Sequence, residues 1–99
     1  MLHIVNKSPT ERNALASCLR MALDGHALLL IEDGVLAATS GTAAACGLAV
    51  ATGRLKVYAL KPDLEARGLS EADLLVDVKV LSSAEMAALM AEQDVVLSS

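Results

Sequence analysis

The side chain with the clearest capacity for covalent chemistry is the thiol of Cys18, one of two cysteines in a chain of 99 residues. A thiol near the start of a helix can have a lowered pKa and accept a sulfur atom from a persulfide. Cys18 lies about three turns into a helix predicted over Pro9–Leu23, where the helix dipole has little effect. It also falls on the apolar stripe of that helix, which favours a buried core cysteine. Periodicity alone leaves both interpretations open.

The second cysteine, Cys46, lies in an Ala-rich stretch, where a core position is favoured. The spacing of the two cysteines matches no zinc-binding pattern, and we expect no metal and no cofactor. The glycine-rich dinucleotide and phosphate-loop motifs, the nucleophile elbow and the zinc-protease motif do not occur in the sequence. The sequence therefore argues against a stand-alone enzyme.

Polar residues follow the first two predicted strands. Lys7 and Ser8 come after the first strand and precede a helix, an arrangement that can hold an anion. Glu32 and Asp33 follow the second strand, at the edge where open α/β sheets bind ligands, and could act as an acid–base pair. A helix cap and a turn explain the same residues without any ligand. We take Lys7, Ser8, Asp33 and Gly34 as candidate substrate-binding residues.

The chain is organised around Ala27–Ile31, five apolar residues in a row that end at a polar turn. Such a run without alternation predicts a strand that is covered on both faces of a parallel sheet. Four more strands are predicted over Leu2–Val5, Leu55–Leu60, Val76–Leu81 and Asp94–Leu97. Besides Pro9–Leu23, helices are predicted over Ala43–Ala51, Leu64–Arg67 and Met86–Gln93, with a helical turn at Val35–Ala38 and capping boxes at Ser8–Glu11 and Ser82–Glu85. Strands and helices alternate, which predicts one α/β domain over residues 1–99, a three-layer sandwich with a five-stranded, mostly parallel sheet and helices on both faces.

Charge and hydropathy restrict the possible partners. The net charge is −4 and Lys and Arg do not cluster, which argues against direct binding of nucleic acid. No run approaches the ~20 apolar residues of a membrane span. The apolar start, Met1–Val5, is too short for a signal peptide, so we expect a cytoplasmic protein. Hydrophobic residues make up 55% of the chain, more than so small a domain can bury, and we expect an exposed apolar patch at an interface.

Three blocks of sequence, in this order and spacing, resemble the DsrH/TusB family of sulfur-relay proteins, within the DsrE-like superfamily. They cover about the first seventy residues and consist of Leu2–His3, Asn6–Pro9 and Ser17–Leu19, then Leu28–Leu30, Asp33–Val35 and Ala37–Ala38, and then Lys56–Leu60, Asp63–Leu64 and Ala66–Leu69. The remainder departs from the family pattern, because Leu81–Ser99 lacks the Tyr, Phe and terminal Trp that family members usually have there.

The resemblance implies a DsrE-like fold and a role as the smallest subunit of a cytoplasmic sulfur-relay complex. Its partners would be homologous TusC/DsrF-like and TusD/DsrE-like subunits, assembled as a dimer of heterotrimers. The complex would pass persulfide sulfur toward 2-thiouridine at the tRNA wobble position. The main sulfur-carrying cysteine would lie on the TusD/DsrE-like partner. Cys18 would be either an auxiliary sulfur acceptor or dispensable, since many but not all family members have a cysteine in the same Ser-Cys-Leu context.

The resemblance leaves alternatives open. One is a DsrH-type subunit of dissimilatory sulfur oxidation, toward which the segment Asn6–Leu19 leans. Another is a structural subunit that binds its partners and carries no sulfur. In the absence of its partners the chain could form a homo-oligomer.

Overall fold

The computed structural model describes residues 1–8, 14–42 and 47–98. Its five strands form one parallel sheet in the order β4-β3-β2-β1-β5, which confirms the predicted α/β sandwich. The strands are β1 (Leu2–Val5), β2 (Ala27–Leu30), β3 (Lys56–Leu60), β4 (Lys79–Leu81) and β5 (Val95–Ser98). Four α-helices have described bounds: α1 (Ala14–Met21), α2 (Leu48–Ala51), α3 (Lys61–Ala66) and α4 (Ser83–Glu92); residues 40–42 are also helical. Two 3-10 segments cover Glu32–Ala38 and Glu71–Asp73.

Strand β2 lies at the centre of the sheet, between β1 and β3, and all four of its residues are buried. Its side chains alternate between two hydrophobic clusters, one on each face. Leu28 and Leu30 point into the larger cluster, which also contains α1 residues, and we call this side the Leu28 face. Leu29 points into the smaller cluster, on the Leu29 face. Each fully buried leucine stabilises the fold by roughly 2–3 kcal/mol relative to an exposed one.

Helix α4 covers the Leu29 face. Its residues Met86 and Leu89 pack against that cluster together with Tyr58 of β3. The predicted capping box at its start is confirmed: the Glu85 N–H donates to Ser82 Oγ at 3.1 Å, and the Ser82 N–H donates to Glu85 Oε1 at 2.9 Å. These hydrogen bonds hold the pKa of the Glu85 carboxyl below its usual value. A cap of this kind fixes where the chain turns from β4 into α4.

Two predicted elements are wrong in part. The helix predicted over Ala43–Ala51 does not run through Gly47, which has φ 83° and directly precedes α2. The strand predicted over Val76–Leu81 begins only at Lys79, because the chain turns at residues 76–77 and the Val78 N–H donates to the Leu75 carbonyl at 3.1 Å. Alternating polarity predicted this strand, and the turn overrides it.

Other predicted bounds shift by a few residues. α1 ends at Met21 rather than Leu23, and the capping box predicted at Ser8–Glu11 lies largely outside the described residues. α3 starts at Lys61, immediately after β3, with Pro62 in its first turn, where the missing N–H of proline costs nothing. The helical turn after β2 is confirmed and begins at Glu32, three residues before the predicted start.

Gly34 allows the 3-10 segment after β2 to cross closely over the end of β1. A Cβ at this position would lie 2.2 Å from the Val5 carbonyl oxygen and 3.0 Å from its carbonyl carbon. Both atoms belong to backbone, so neither can rotate away. The same Val5 oxygen accepts a hydrogen bond from the Ile31 N–H at 3.0 Å, which fixes its position. Only glycine fits this crossing.

We therefore expect Gly34→Ala to lower the free energy of unfolding by about 3 kcal/mol, the upper range for overpacking at a buried site. The matched control is Gly41→Ala, because a Cβ at Gly41 meets no atom within 4 Å. The control should change stability by less than about 1 kcal/mol. Urea unfolding followed by circular dichroism measures both, and equal stability of the two variants would contradict the close approach.

Candidate functional site

The carboxyl edge of the sheet brings the turn after β2 against α3. The Glu32 N–H donates to Asp63 Oδ2 at 2.7 Å, and Glu32 itself has φ 49°. Arg67 donates from Nε and Nη2 to Asp33 Oδ1 at 3.1 and 2.8 Å, and from Nη1 to the Asp63 carbonyl at 3.0 Å. These bonds join the 3-10 segment to α3. Because Asp33 is half-exposed, the ion pair contributes at most about 1 kcal/mol to stability.

The predicted substrate-binding residues follow two neighbouring parallel strands, so they lie at the same edge of the sheet. Lys7 and Ser8 are partly buried just after β1, and Gly34 packs on the backbone at the end of β1. The Asp33 carboxylate is occupied by Arg67. This geometry gives Asp33 and Gly34 structural roles in holding the edge together. Ligand binding by the four residues remains a prediction.

Asn6 lies at the same edge and is not one of the predicted site residues. Its Oδ1 is buried and accepts no hydrogen bond within the part of the chain that the structure describes. A buried acceptor left in this state costs about 1–3 kcal/mol. The sequence signal that could have found it is its place immediately after a fully buried strand.

Cys18 is only 1% exposed and packs in the cluster of the Leu28 face together with Leu15 and Ala22. Burial raises the pKa of its thiol to about 11, and the nearby positive charge of Arg54 offsets part of this rise. The thiol is therefore neutral and covered at physiological pH. The geometry supports the core interpretation, and a role as sulfur acceptor would need α1 to open. Cys46 lies outside the described residues.

Arg54 anchors the carboxyl end of α1. Its Nη1 donates to the Ala22 carbonyl at 2.7 Å and its Nη2 donates to the Leu19 carbonyl, while Asp24 lies 3.6 Å away as an ion-pair partner. A cation at this end of a helix satisfies carbonyls that have no partner within the helix. No local motif in the sequence marks Arg54, because its hydrogen-bond partners lie more than thirty positions away along the chain.

Two histidines stack at the amino edge of the sheet. His3 is 4% exposed, and its Nε2 lies 3.1 Å from His26 Nδ1, with ring centroids 5.3 Å apart. The Leu23 N–H also donates to His26 Nδ1, at 3.2 Å, so that nitrogen is an acceptor and His3 Nε2 carries the shared proton. Burial lowers the pKa of His3, and the charges of His26 and the amino terminus add to the effect.

Metal-ligating side chains and cavities can be compared with the predicted site over the described residues. Over residues 1–8, 14–42 and 47–98, no group of three or more metal-ligating side chains is arranged around a common point. An open cavity of about 260 Å³ lies between α4 and the strands β3 and β4, and another of about 380 Å³ lies at the carboxyl ends of these strands. Neither includes Cys18, Lys7, Ser8, Asp33 or Gly34 in its lining. No described helix is both long and apolar enough to cross a membrane.

The fold and the edge residues together define a small parallel α/β sandwich whose predicted reactive thiol is buried. The chain belongs to the DsrH family, because the family model described as DsrH like protein matches residues 7–96. This confirms the resemblance found in the sequence, and it extends the match into the C-terminal region that lacks aromatic residues.

Similar proteins support the assignment. Protein TusB of Sodalis glossinidius is 39% identical over 93 residues, which cover 94% of this chain and 94% of that protein. Protein TusB of Enterobacter sp. is 47% identical over 70 residues, covering 71% of this chain and 70% of that protein. Protein TusB of Serratia proteamaculans is 44% identical over the same coverage.

Two solved structures share the fold. A protein of unknown function from Methanobacterium thermoautotrophicum superposes with a TM-score of 0.73 at 18% identity, over 97% of this chain and 95% of that chain. A protein from Thermotoga maritima, solved by NMR, has a TM-score of 0.65 at 27% identity and covers 94% of each chain.

Alkylation by iodoacetamide should distinguish a covered thiol from a reactive one. We expect Cys18 in the folded chain at pH 8 to react at least about 100-fold more slowly than in urea, since reaction requires local opening. The matched control is Ala16→Cys, which places a thiol at an exposed position of the same helix. Peptide mass spectrometry measures each site. Equal rates at Cys18 in the folded and unfolded chain would contradict the burial.

The histidine pair should make stability depend on pH. The folded state holds the pKa of His3 below its ordinary value of 6.5, so the unfolded chain takes up the proton first. The part of the stability that depends on neutral His3 is therefore fully present above pH 6.5, and it is lost as the pH falls below this value. We expect the free energy of unfolding to fall between pH 7 and pH 5 (about the range in which histidine titrates). His3→Gln should show a shallower dependence, and identical slopes would exclude His3 as the cause.

Proposed function

We propose that the chain is a subunit of a sulfur-relay complex that serves 2-thiolation of the wobble uridine of tRNA. The observation that carries this proposal is the full-length similarity to Protein TusB, at 39% identity over 94% of both chains, together with the family match over residues 7–96. The similarity runs along the whole relative, so it concerns the complete domain and not one shared motif.

Within this complex the chain binds TusC/DsrF-like and TusD/DsrE-like subunits in the cytoplasm, as a dimer of heterotrimers. The net charge of −4 supports binding of tRNA by other subunits of the complex and not by this chain. A polyanion such as tRNA is repelled by an acidic chain and needs clustered Lys and Arg, which this sequence lacks.

The geometry supports a structural role for this subunit. Sulfur transfer needs a thiolate that can attack the terminal sulfur of a donor persulfide. Cys18 is covered by the core, and its pKa near 11 keeps the thiol protonated. This burial supports the proposal that a cysteine of a partner subunit carries the sulfur and that this chain supplies binding surface.

A second candidate role keeps Cys18 as an auxiliary sulfur acceptor. The Cys18 thiolate would attack the outer sulfur of the donor persulfide. A new S–S bond would form on Cys18, the donor's S–S bond would break, and the donor would leave as a thiolate. The positive charge of Arg54 favours the thiolate, and this side chain is hydrogen-bonded to the carboxyl end of α1. Opening of α1, a helix of eight residues, would expose the sulfur atom of Cys18.

A DsrH-type subunit of sulfur oxidation is the alternative function. The segment Asn6–Leu19 favours it. In that case the Cys18 thiol is equally buried and the chain binds the same classes of partner. The two functions therefore differ in the molecule that finally accepts the sulfur.

The test is restoration of tRNA thiolation. A strain without its own TusB-type subunit receives this chain together with the two partner subunits from the same source organism, and 2-thiouridine is measured by mass spectrometry of tRNA. We expect thiolation to return with the native chain and to return equally with Cys18→Ser. No thiolation with the native chain, although the three subunits co-purify, would contradict the proposed tRNA function and favour sulfur oxidation.

Intact mass resolves the role of Cys18 separately. The chain is exposed to a persulfide donor and weighed with and without Cys18→Ser. The structural role predicts no adduct. An added mass of about 32 Da, one sulfur atom as a persulfide, that is lost in Cys18→Ser would instead establish the auxiliary acceptor.

A further inference from the structure

Strand β5 forms one edge of the sheet and pairs with β1 only, so far as the described residues extend. The Leu2 N–H donates to the Asp94 carbonyl at 2.8 Å, which shows that the Asp94 carbonyl points toward β1. Backbone groups of successive residues point to opposite sides of a strand. The N–H and C=O groups of Val95 and Leu97 therefore point outward, away from β1.

In the part of the chain that the structure describes, the outer edge of β5 lacks several features that keep an edge strand from pairing. Such strands are protected by lysine, by proline, by a bulge or by charges that point inward. The sequence of β5 is Val-Val-Leu-Ser, without any of these residues. Val95 is 41% exposed and Leu97 is 61% exposed. Both lie on the Leu29 face, since they are in register with Leu2 and Ile4.

We propose that β5 pairs with β5 of a second copy of this chain, antiparallel, about a two-fold axis at Val96. In this register Val95 of each copy lies opposite Leu97 of the other, and Val96 lies opposite itself. The outward groups of Val95 and Leu97 exchange both backbone hydrogen bonds across each such pair, which gives four bonds in total. The two sheets become one continuous sheet.

The faces of the strand and the apolar character of its residues favour this register. Residues that pair across two strands must point to the same face of the sheet, so a shift by one residue, which would oppose Val95 to Ser98, is excluded. At the Val96 register every directly opposed side chain among Val95–Leu97 is apolar, with no charge brought into the interface.

The outer edge of β5 is complementary to itself, which argues for a second copy of this chain as its pairing partner. Outward backbone donors and acceptors are satisfied only by another strand or by water, and the Val96 register matches β5 to itself. A two-fold contact of this kind uses the same surface on both copies and closes after two chains, so it does not grow into a filament. The pairing concerns this chain alone and does not depend on the proposed function.

The test is the mass of the purified chain in solution, measured by sedimentation velocity. We expect a species of twice the 10.2 kDa chain mass. Val95→Glu and Leu97→Lys should each raise the dimer dissociation constant at least about tenfold, since each change is present twice in the interface. The control Val76→Lys changes a residue that is 94% exposed and distant in sequence, and it should leave the dimer intact.

Mixing the variants tests the register. The carboxylate introduced by Val95→Glu in one copy lies opposite the ammonium introduced by Leu97→Lys in the other, so an equimolar mixture should form a dimer again. A mixture of Val95→Glu with Val95→Lys should not, because position 95 does not face itself. A monomeric native chain, or a dimer that both single variants leave unchanged, would overturn the proposal.

Cross-linking gives an answer that does not depend on how well the charged variants fold. Directly opposed residues without mutual hydrogen bonds lie about 4.5 Å apart between Cα atoms, close enough for a disulfide. In a chain carrying Cys18→Ala and Cys46→Ala, Val96→Cys should form a covalent dimer on oxidation, and Val76→Cys should not. Absence of the covalent dimer from a folded Val96→Cys chain would overturn the register.

Discussion

The enclosure of β2 between two hydrophobic clusters is the constraint on which the rest of the structure depends. The four residues of β2 are buried on both faces of the sheet. Each flanking strand therefore needs mostly apolar residues at the positions that pair with them. This demand places β1 and β3 beside it and leaves β4 and β5 at the edges. It also places the chemistry-bearing residues, since the turns that follow β1, β2 and β3 all emerge at one edge of the sheet. Gly34 belongs to the same constraint, because the turn after β2 has to cross the end of β1 in contact with backbone.

Local sequence signals predicted the elements that depend on local forces. β1 was predicted at its observed bounds, and the cap at Ser82 was predicted because both of its partners lie within four positions. The prediction failed at Gly47 and at the turn over residues 76–77, where backbone conformation overrides hydropathy. Of the candidate site, sequence predicted that the residues after β1 and β2 share an edge. The pairing of Asp33 with Arg67 could not be found, because it joins positions 34 apart and depends on how α3 turns off β3.

Sequence context and structural position suggest different roles for Cys18. Its place in a Ser-Cys-Leu context points to sulfur chemistry, whereas its place on the apolar stripe of α1 points to packing. The structure shows the packing, with a neutral thiol among aliphatic side chains. A domain that lacks Phe and Trp fills its core with many small aliphatic groups, and a cysteine of similar size fits well among them. Membership of a sulfur-handling family and burial of this thiol are therefore compatible if the chain acts mainly through its surfaces.

Tyr58 has a practical consequence for studies in solution. It is the one Phe, Trp or Tyr residue in the sequence, and it packs under α4 on the Leu29 face. Near-ultraviolet absorbance and intrinsic fluorescence of the protein therefore originate mainly from a single phenol, whose surroundings change when α4 moves. Cys18, on the opposite face, responds to α1 and is silent in the same spectrum. The two layers of the sandwich thus carry separate natural probes, and movements of one helical layer can be followed without interference from the other.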